Sequence, residues 1–99
     1  MIAIGLHAIK KILTNEKPTL SREYGVSKVG VFGSYVFGDF HDTSDIDILV
    51  EFKRSIGLFA FLKLEQHLSG ILGRKVDLVT KTGIKPYLKK DILRSAVYA

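Results

Sequence analysis

The chain has no cysteine, which excludes disulfide staples, thiolate metal sites and a cysteine nucleophile. A reducing cytoplasm suits such a chain. Tryptophan is also missing, and the only prolines are Pro18 and Pro86, so no Pro-rich linker divides the sequence. No apolar run approaches the ~20 residues of a membrane span. The apolar start, Met1 to Leu6, is broken early by His7, Lys10 and Lys11, and it has neither the charged start nor the cleavage site of a secretory leader. These absences predict a soluble, cytoplasmic protein without a membrane partner.

What is present suffices for one domain spanning 1–99. Ninety-nine residues, 46% of them hydrophobic, bury roughly 60–65% of their unfolded surface in a single modest core. Fifteen Lys+Arg against ten Asp+Glu give a net charge of +5. That excess favours triphosphates, nucleic acid or an acidic protein, and it also serves as ordinary solubilising charge. Charge alone does not choose among them.

Periodicity predicts a helix over 4–13 and a second one from Pro18 to Tyr24, stopped by Gly25. Val26 to Phe32 reads as a strand, and Gly33-Ser34 then opens one or two helical turns that end near Gly38. His41-Asp42-Thr43-Ser44 is turn chemistry. Asp45 to Phe52 alternates cleanly, with Ile46, Ile48, Val50 and Phe52 on one face and Asp45, Asp47, Leu49 and Glu51 on the other. A helix over Leu58–Leu72 would turn Leu58, Phe61, Leu62, Leu68 and Leu72 to the core. Lys75 to Thr80 is a third strand, and Pro86 to Tyr98 a last amphipathic helix burying Leu88, Ile92, Leu93, Ala96 and Val97. The order α-α-β-α-β-α-β-α predicts an α/β (α+β) domain: a small mixed β-sheet of three or more strands, flanked by helices.

The chemistry concentrates on the strands. Asp45 and Asp47 leave one strand from the same face, roughly 6.5–7 Å apart at Cα. Two carboxylates so close repel each other unless a cation lies between them. Mg²⁺, hard and oxygen-seeking, answers that need. Asp77 is a third carboxylate inside an apolar strand, where Asp is disfavoured; if the strands are neighbours it joins the pair. Taken singly, each Asp is more often a polar, solvated position than a ligand. Gly33-Ser34 ends a strand and opens a helical turn, with a glycine that allows close backbone approach and a hydroxyl that donates to phosphate. Alone it is ordinary turn and cap chemistry.

Together, Gly33-Ser34, ten intervening residues and then Asp45-Ile46-Asp47 resemble the signature of the DNA polymerase β-like nucleotidyltransferase superfamily. The closer resemblance is to its minimal nucleotidyltransferase branch, small prokaryotic domains often paired with a HEPN-domain protein. Val31-Phe32-Gly33-Ser34-Tyr35, Gly38, Ser44 to Val50 and Val76-Asp77-Leu78-Val79 carry it. The resemblance implies the nucleotidyltransferase fold, with Gly33 and Ser34 holding the triphosphate of ATP or another NTP. It implies Asp45 and Asp47 as Mg²⁺ ligands, and Asp77 as a further ligand or as the base. Many relatives carry Arg immediately before the glycine equivalent to Gly38. Phe37 stands there instead, leaving Lys53, Arg54, Lys81 or Lys85 as candidate substitutes.

Two functions follow from that resemblance. One is enzymatic: AMP moves from ATP to an acceptor such as a tyrosine of a paired HEPN toxin, which makes the chain a candidate antitoxin. The other is a non-catalytic antitoxin or regulatory subunit of the same fold. Nucleic-acid binding through the basic surface ranks behind both, because no recognised motif supports it. His7, His41 and His67 lack ligand spacing, and Lys89, Lys90 and Arg94 read as a solvated stripe. Tyr35, Tyr87 and Tyr98 read as packing residues, with base stacking the less common role.

Overall fold

The computed structural model describes residues 5–38, 41 and 44–99. The expectations placed on Ile4, Asp42 and Thr43 lie outside them. The two expected N-terminal helices are one continuous helix, α1 (Leu6–Tyr24), with Pro18 inside it. An interior proline costs about 3 kcal/mol in lost hydrogen bonding and steric clash. Against that cost, Ile9, Leu13 and Leu20 are fully buried on one face, each contributing about 1.5–3 kcal/mol. Tertiary burial outweighs the local break. Gly25 ends the helix in the left-handed region at φ 71°, its amide donating to Leu20 and Ser21 carbonyls.

Then follow β1 (Val26–Phe32), α2 (Ser34–Phe37), β2 (Ile46–Phe52), α3 (Leu58–Leu72), β3 (Val76–Thr80), a 3-10 turn over Lys81–Gly83, α4 (Pro86–Ser95) and β4 (Val97–Tyr98). The sheet order is β3-β2-β1-β4. β1 runs antiparallel to β2 and β4, while β2 and β3 are parallel. A parallel neighbour demands a crossover, which α3 provides. This is the mixed, helix-flanked sheet that the element order predicts.

Ile46, Ile48 and Val50 of β2 join Val76 and Leu78 of β3 in one cluster with Ile9, Leu13, Leu20, Leu64, Leu68 and Leu72. The helices α1 and α3 therefore cover one face of the sheet. They are also tied to each other, since His67 Nε2 lies 2.9 Å from Glu16 Oε1. Strand alternation sends Asp47, Leu49 and Asp77 to the opposite face. There Leu49 and Ile84 are buried apart from the main cluster.

Two expectations about the core are corrected. On α3, Leu58 and Leu62 are 69% and 42% exposed, while Leu64, absent from the predicted stripe, is fully buried. The buried stripe runs Leu64, Leu68, Leu72; Leu62 falls off it and Leu58 opens the helix before it. The last helix ends at Ser95 and buries none of its residues. Ala96 is extended, and Val97 and Tyr98 pair with Val31 and Gly30. An open edge on β1 offers ladder hydrogen bonds that a continued helix would forgo. No described helix is long and apolar enough to cross a membrane.

Candidate active site

The site begins with the glycine that ends β1. Gly33 adopts φ 76°, ψ −147°, a conformation essentially confined to glycine. A Cβ there would collide with Oδ2 of Asp47 and lie 3.2 Å from its carboxyl carbon. Gly33 is thus required twice, by backbone conformation and by close approach. Val36 and Phe37 amides both turn back to the Gly33 carbonyl, at 3.0 and 3.3 Å. Helix geometry leaves the Ser34 amide, at the start of that turn, without an intrahelical acceptor. Tyr35 is 2% exposed and anchors α2 in the main cluster, which settles it as a packing residue.

Asp47 sits at the start of β2, paired in register with Phe32 of β1 and with Asp77 of β3. Parallel register and shared parity bring Asp47 and Asp77 side by side. The Asp47 carboxyl is pushed up to about 6, first by burial, then by the charges of Asp77 and Asp45, and by a hydrogen bond with Asp77. Such a bond needs a proton between two carboxyls, the arrangement expected when like charges are held together.

Asp45 lies just before the strand and is half-exposed. Its Oδ2 is 3.9 Å from Nζ of Lys75, and the Lys75 carbonyl accepts the Ile46 amide at 2.9 Å. The turn leading to Asp45 closes through Ser44: the Ser44 amide donates to the His41 carbonyl at 3.0 Å, and the His41 amide to Ser44 Oγ at 2.7 Å. His41 contributes through its backbone.

The structure therefore brings together Gly33, Asp47 and Asp77, with Asp45 at electrostatic range. It does not close the three carboxylates into a ready-made cage: among the described residues no three acidic or imidazole groups form one. Lys75 draws on Asp45, while Asp47 and Asp77 hold each other. Lys75 is the cation that the sequence reasoning passed over. Its adjacency to Asp45 follows from β-pairing between distant segments, and its position one residue before β3 is the only hint the sequence contains.

The proposed substitutes for a guanidinium at position 37 fare differently. Lys53 and Arg54 follow the far end of β2 and share a pocket with Lys81. At about 3.3 Å per residue, Lys53 lies roughly 20 Å along the strand from Asp47. These three do not reach the site. Phe37 itself is 70% exposed.

A glycine bend pressed against paired strand aspartates, on a mixed sheet backed by two helices, defines the nucleotidyl-transferring class of folds. Residues 13–99 match the family model for the nucleotidyltransferase domain. The chain is 44% identical over 98 residues to the protein adenylyltransferase MntA of Thermococcus cleftensis, covering 99% of each chain. It matches the solved structure of a minimal nucleotidyltransferase with a TM-score of 0.80 at 32% identity, covering 95% of both. A chain of the Shewanella oneidensis complex between tri-AMPylated HEPN toxin and MNT antitoxin matches at TM-score 0.59 and 25% identity, over 93% of this chain and 66% of that one. This chain belongs to the nucleotidyltransferase domain family, in its MntA-like minimal branch.

Proposed function

We propose that the chain is a Mg²⁺-dependent protein adenylyltransferase that moves AMP from ATP to a hydroxyl of a HEPN-type toxin, a tyrosine as the family resemblance implies, and so acts as its antitoxin. The observation that carries this reading is the Asp47–Asp77 pair pressed against the Gly33 bend. The adenylyltransferase and the AMPylated toxin complex among its relatives support the choice of nucleotide and partner.

The donor set fits a divalent cation. Asp47 is burdened by two neighbouring carboxylates, and an all-oxygen set suits a hard ion. Asp45 and Asp47 would hold Mg²⁺, with Asp77 a further ligand or the base. When bound, the ion neutralises triphosphate charge beside the bend. Gly33 admits the phosphates close to the backbone, and the Ser34 hydroxyl donates to a phosphate oxygen. The acceptor oxygen attacks the α-phosphorus, the bond to pyrophosphate breaks, and the acceptor's proton passes to a strand carboxylate.

Incubation with Mg²⁺, α-labelled ATP and the product of the neighbouring gene should label that partner. A folded chain that transfers nothing would overturn the reading. The alternative, a non-catalytic binding antitoxin, is favoured by Phe37, an exposed apolar ring where relatives place a guanidinium. Asp45→Asn with Asp47→Asn separates the two: neutralisation of the toxin that survives both substitutions rules out catalysis as its mechanism.

A further inference from the structure

The strongest charge asymmetry lies away from the carboxylates. Three concavities of about 440, 340 and 420 Å³, neighbours through shared lining residues, lie around the far end of β2 and the β1–β4 edge. The first and second share Lys53. The second and third share Lys17, Ser27 and Lys28. They form one trough whose cations are Lys17, Lys28, Lys53, Arg54 and Lys81, with Glu51 the carboxylate in its lining.

Local structure aims these groups. The β1–β2 register shifts between Val26 and Lys28, and such a bulge turns two successive residues outward. Ser27 and Lys28 are accordingly both exposed, and Ser27 Oγ fixes the bulge by donating to the Glu51 carbonyl at 3.0 Å. Lys17 Nζ is held at 3.0 Å from the main-chain oxygen of Ala99, and Lys53 Nζ donates to Ser21 Oγ. The Arg54 guanidinium lies against Gly25, where a Cβ would stand 2.8 Å from it. Among the described residues only Lys81 of the five has a carboxylate partner, Glu51 at 3.7 Å. Lys53 rests on a neutral hydroxyl and Arg54 on the Gly25 backbone, and among the described residues no side-chain carboxylate pairs with Lys28, Lys53 or Arg54.

Tyr98 completes the lining at the β4 end and is 36% exposed. Burial and the Glu51 carboxylate push its hydroxyl up, which keeps the ring neutral around physiological pH. Positive side chains tracking a groove beside an exposed aromatic ring are the elements that hold single-stranded nucleic acid: phosphates on the cations, a base on the ring. A protein partner needs apolar anchors at its centre. Among the described residues the most exposed ones, Phe59 at 83%, Tyr87 at 74% and Phe37 at 70%, all lie outside the trough.

We propose that this trough is a binding site for single-stranded nucleic acid, separate from the nucleotide site, so that the chain engages such a strand by its basic side. The inference goes beyond the adenylyl-transfer reading and does not depend on it. The test is fluorescence anisotropy of the full chain with a labelled oligouridine of a dozen nucleotides. Four phosphate contacts predict a slope of log K against log salt of about −3. Lys17→Gln with Lys28→Gln should weaken binding about tenfold, while Lys89→Gln with Lys90→Gln, which removes equal charge from α4, should leave it within twofold. Lys53→Gln with Lys81→Gln is the second trough variant should the first misfold, and circular dichroism checks both. The Lys17/Lys28 variant should still transfer nucleotide, which separates failure here from failure of the catalytic reading. Absent RNA binding, equal weakening by the α4 variant, or tighter binding of polyglutamate than of RNA each overturns the proposal.

Discussion

The two ends of β2 carry opposite chemistry on one rigid support. At its start, Asp45 and Asp47 face Asp77 beside the Gly33 bend; at its end, Lys53 and Arg54 border a basic trough with Lys81. Between them Ile48, Leu49 and Val50 are fully buried, so neither end is free to shift toward the other. The acidic end is destabilised by its own charges, whereas at the basic end Lys53 rests on the Ser21 hydroxyl and Glu51 offsets Lys81. One end is built to be completed by a cation, the other to receive an anion.

Removing charge from the acidic end breaks that contrast most severely. Asp47→Asn should lower adenylyl transfer by at least about a thousandfold, roughly 4 kcal/mol in the barrier. Without Mg²⁺ the same variant should melt at a higher temperature than the parent, because Asn ends the repulsion with Asp77 and Asp45. A calorimetric melt beside a label-transfer assay reads both. A variant that lost activity and melted lower would mean that Asp47 holds the fold together, contrary to the charge argument.

Gly33→Ala tests the bend instead of the charge. Left-handed strain and collision with Asp47 together should cost about 2–4 kcal/mol of stability, read as a lower urea midpoint. The contrast is Gly57→Ala, where a Cβ meets nothing within 4 Å and about 1 kcal/mol or less is expected in either direction.

How much of this was legible beforehand depended on whether the signal was local. Alternation over residues 46–52 placed Asp47 opposite the core, and Gly33-Ser34 and Gly38 bracketed α2, because those patterns are written within a few residues. The Asp47–Asp77 pairing was expected through the family resemblance and is realised by parallel register, which no local pattern fixes. Pro18 misled for the opposite reason: it is a strong local stop overridden by Ile9, Leu13 and Leu20 packing on one helix face. Leu64 was missed and Leu58 misplaced because a helix rich in apolar residues offers several plausible stripes, and only the sheet beneath selects one. Lys53, Arg54 and Lys81 were considered for the nucleotide site because charge in a sequence has no address. Strand length alone removes them from it.

The acidic end should also announce itself through pH. Asp47 holds its proton in the folded state up to about 6, against 3.8 for the ordinary side chain. Between those values the native state binds more protons than the unfolded one, so stability falls as pH rises from about 4 to 6. The expected result, in EDTA, is a melting temperature that declines across that window relative to Asp47→Asn, which lacks the titration. The subtraction removes the background of other groups. Saturating Mg²⁺ should flatten the difference, since a bound cation favours the ionised carboxylate in the folded state. A wild-type curve parallel to that of the variant would show that Asp47 is not crowded as described.

The smallest effect belongs to Lys75, the cation that pairs with Asp45. Its ammonium is 79% exposed and 3.9 Å from Asp45, and an exposed pair of that kind is worth less than about 1 kcal/mol. Lys75→Gln should therefore leave stability almost unchanged and raise the KM for ATP about two- to fivefold, with kcat less affected. Phe37→Arg, which restores a guanidinium at the end of α2, should recover that loss in the double variant. If Lys75 serves only to hold Asp45, the arginine will not compensate, and Lys75→Gln will lower kcat and leave the KM alone. Comparing the two kinetic constants across the four chains, parent included, decides whether the acidic end relies on Lys75 for triphosphate charge or for the posture of Asp45.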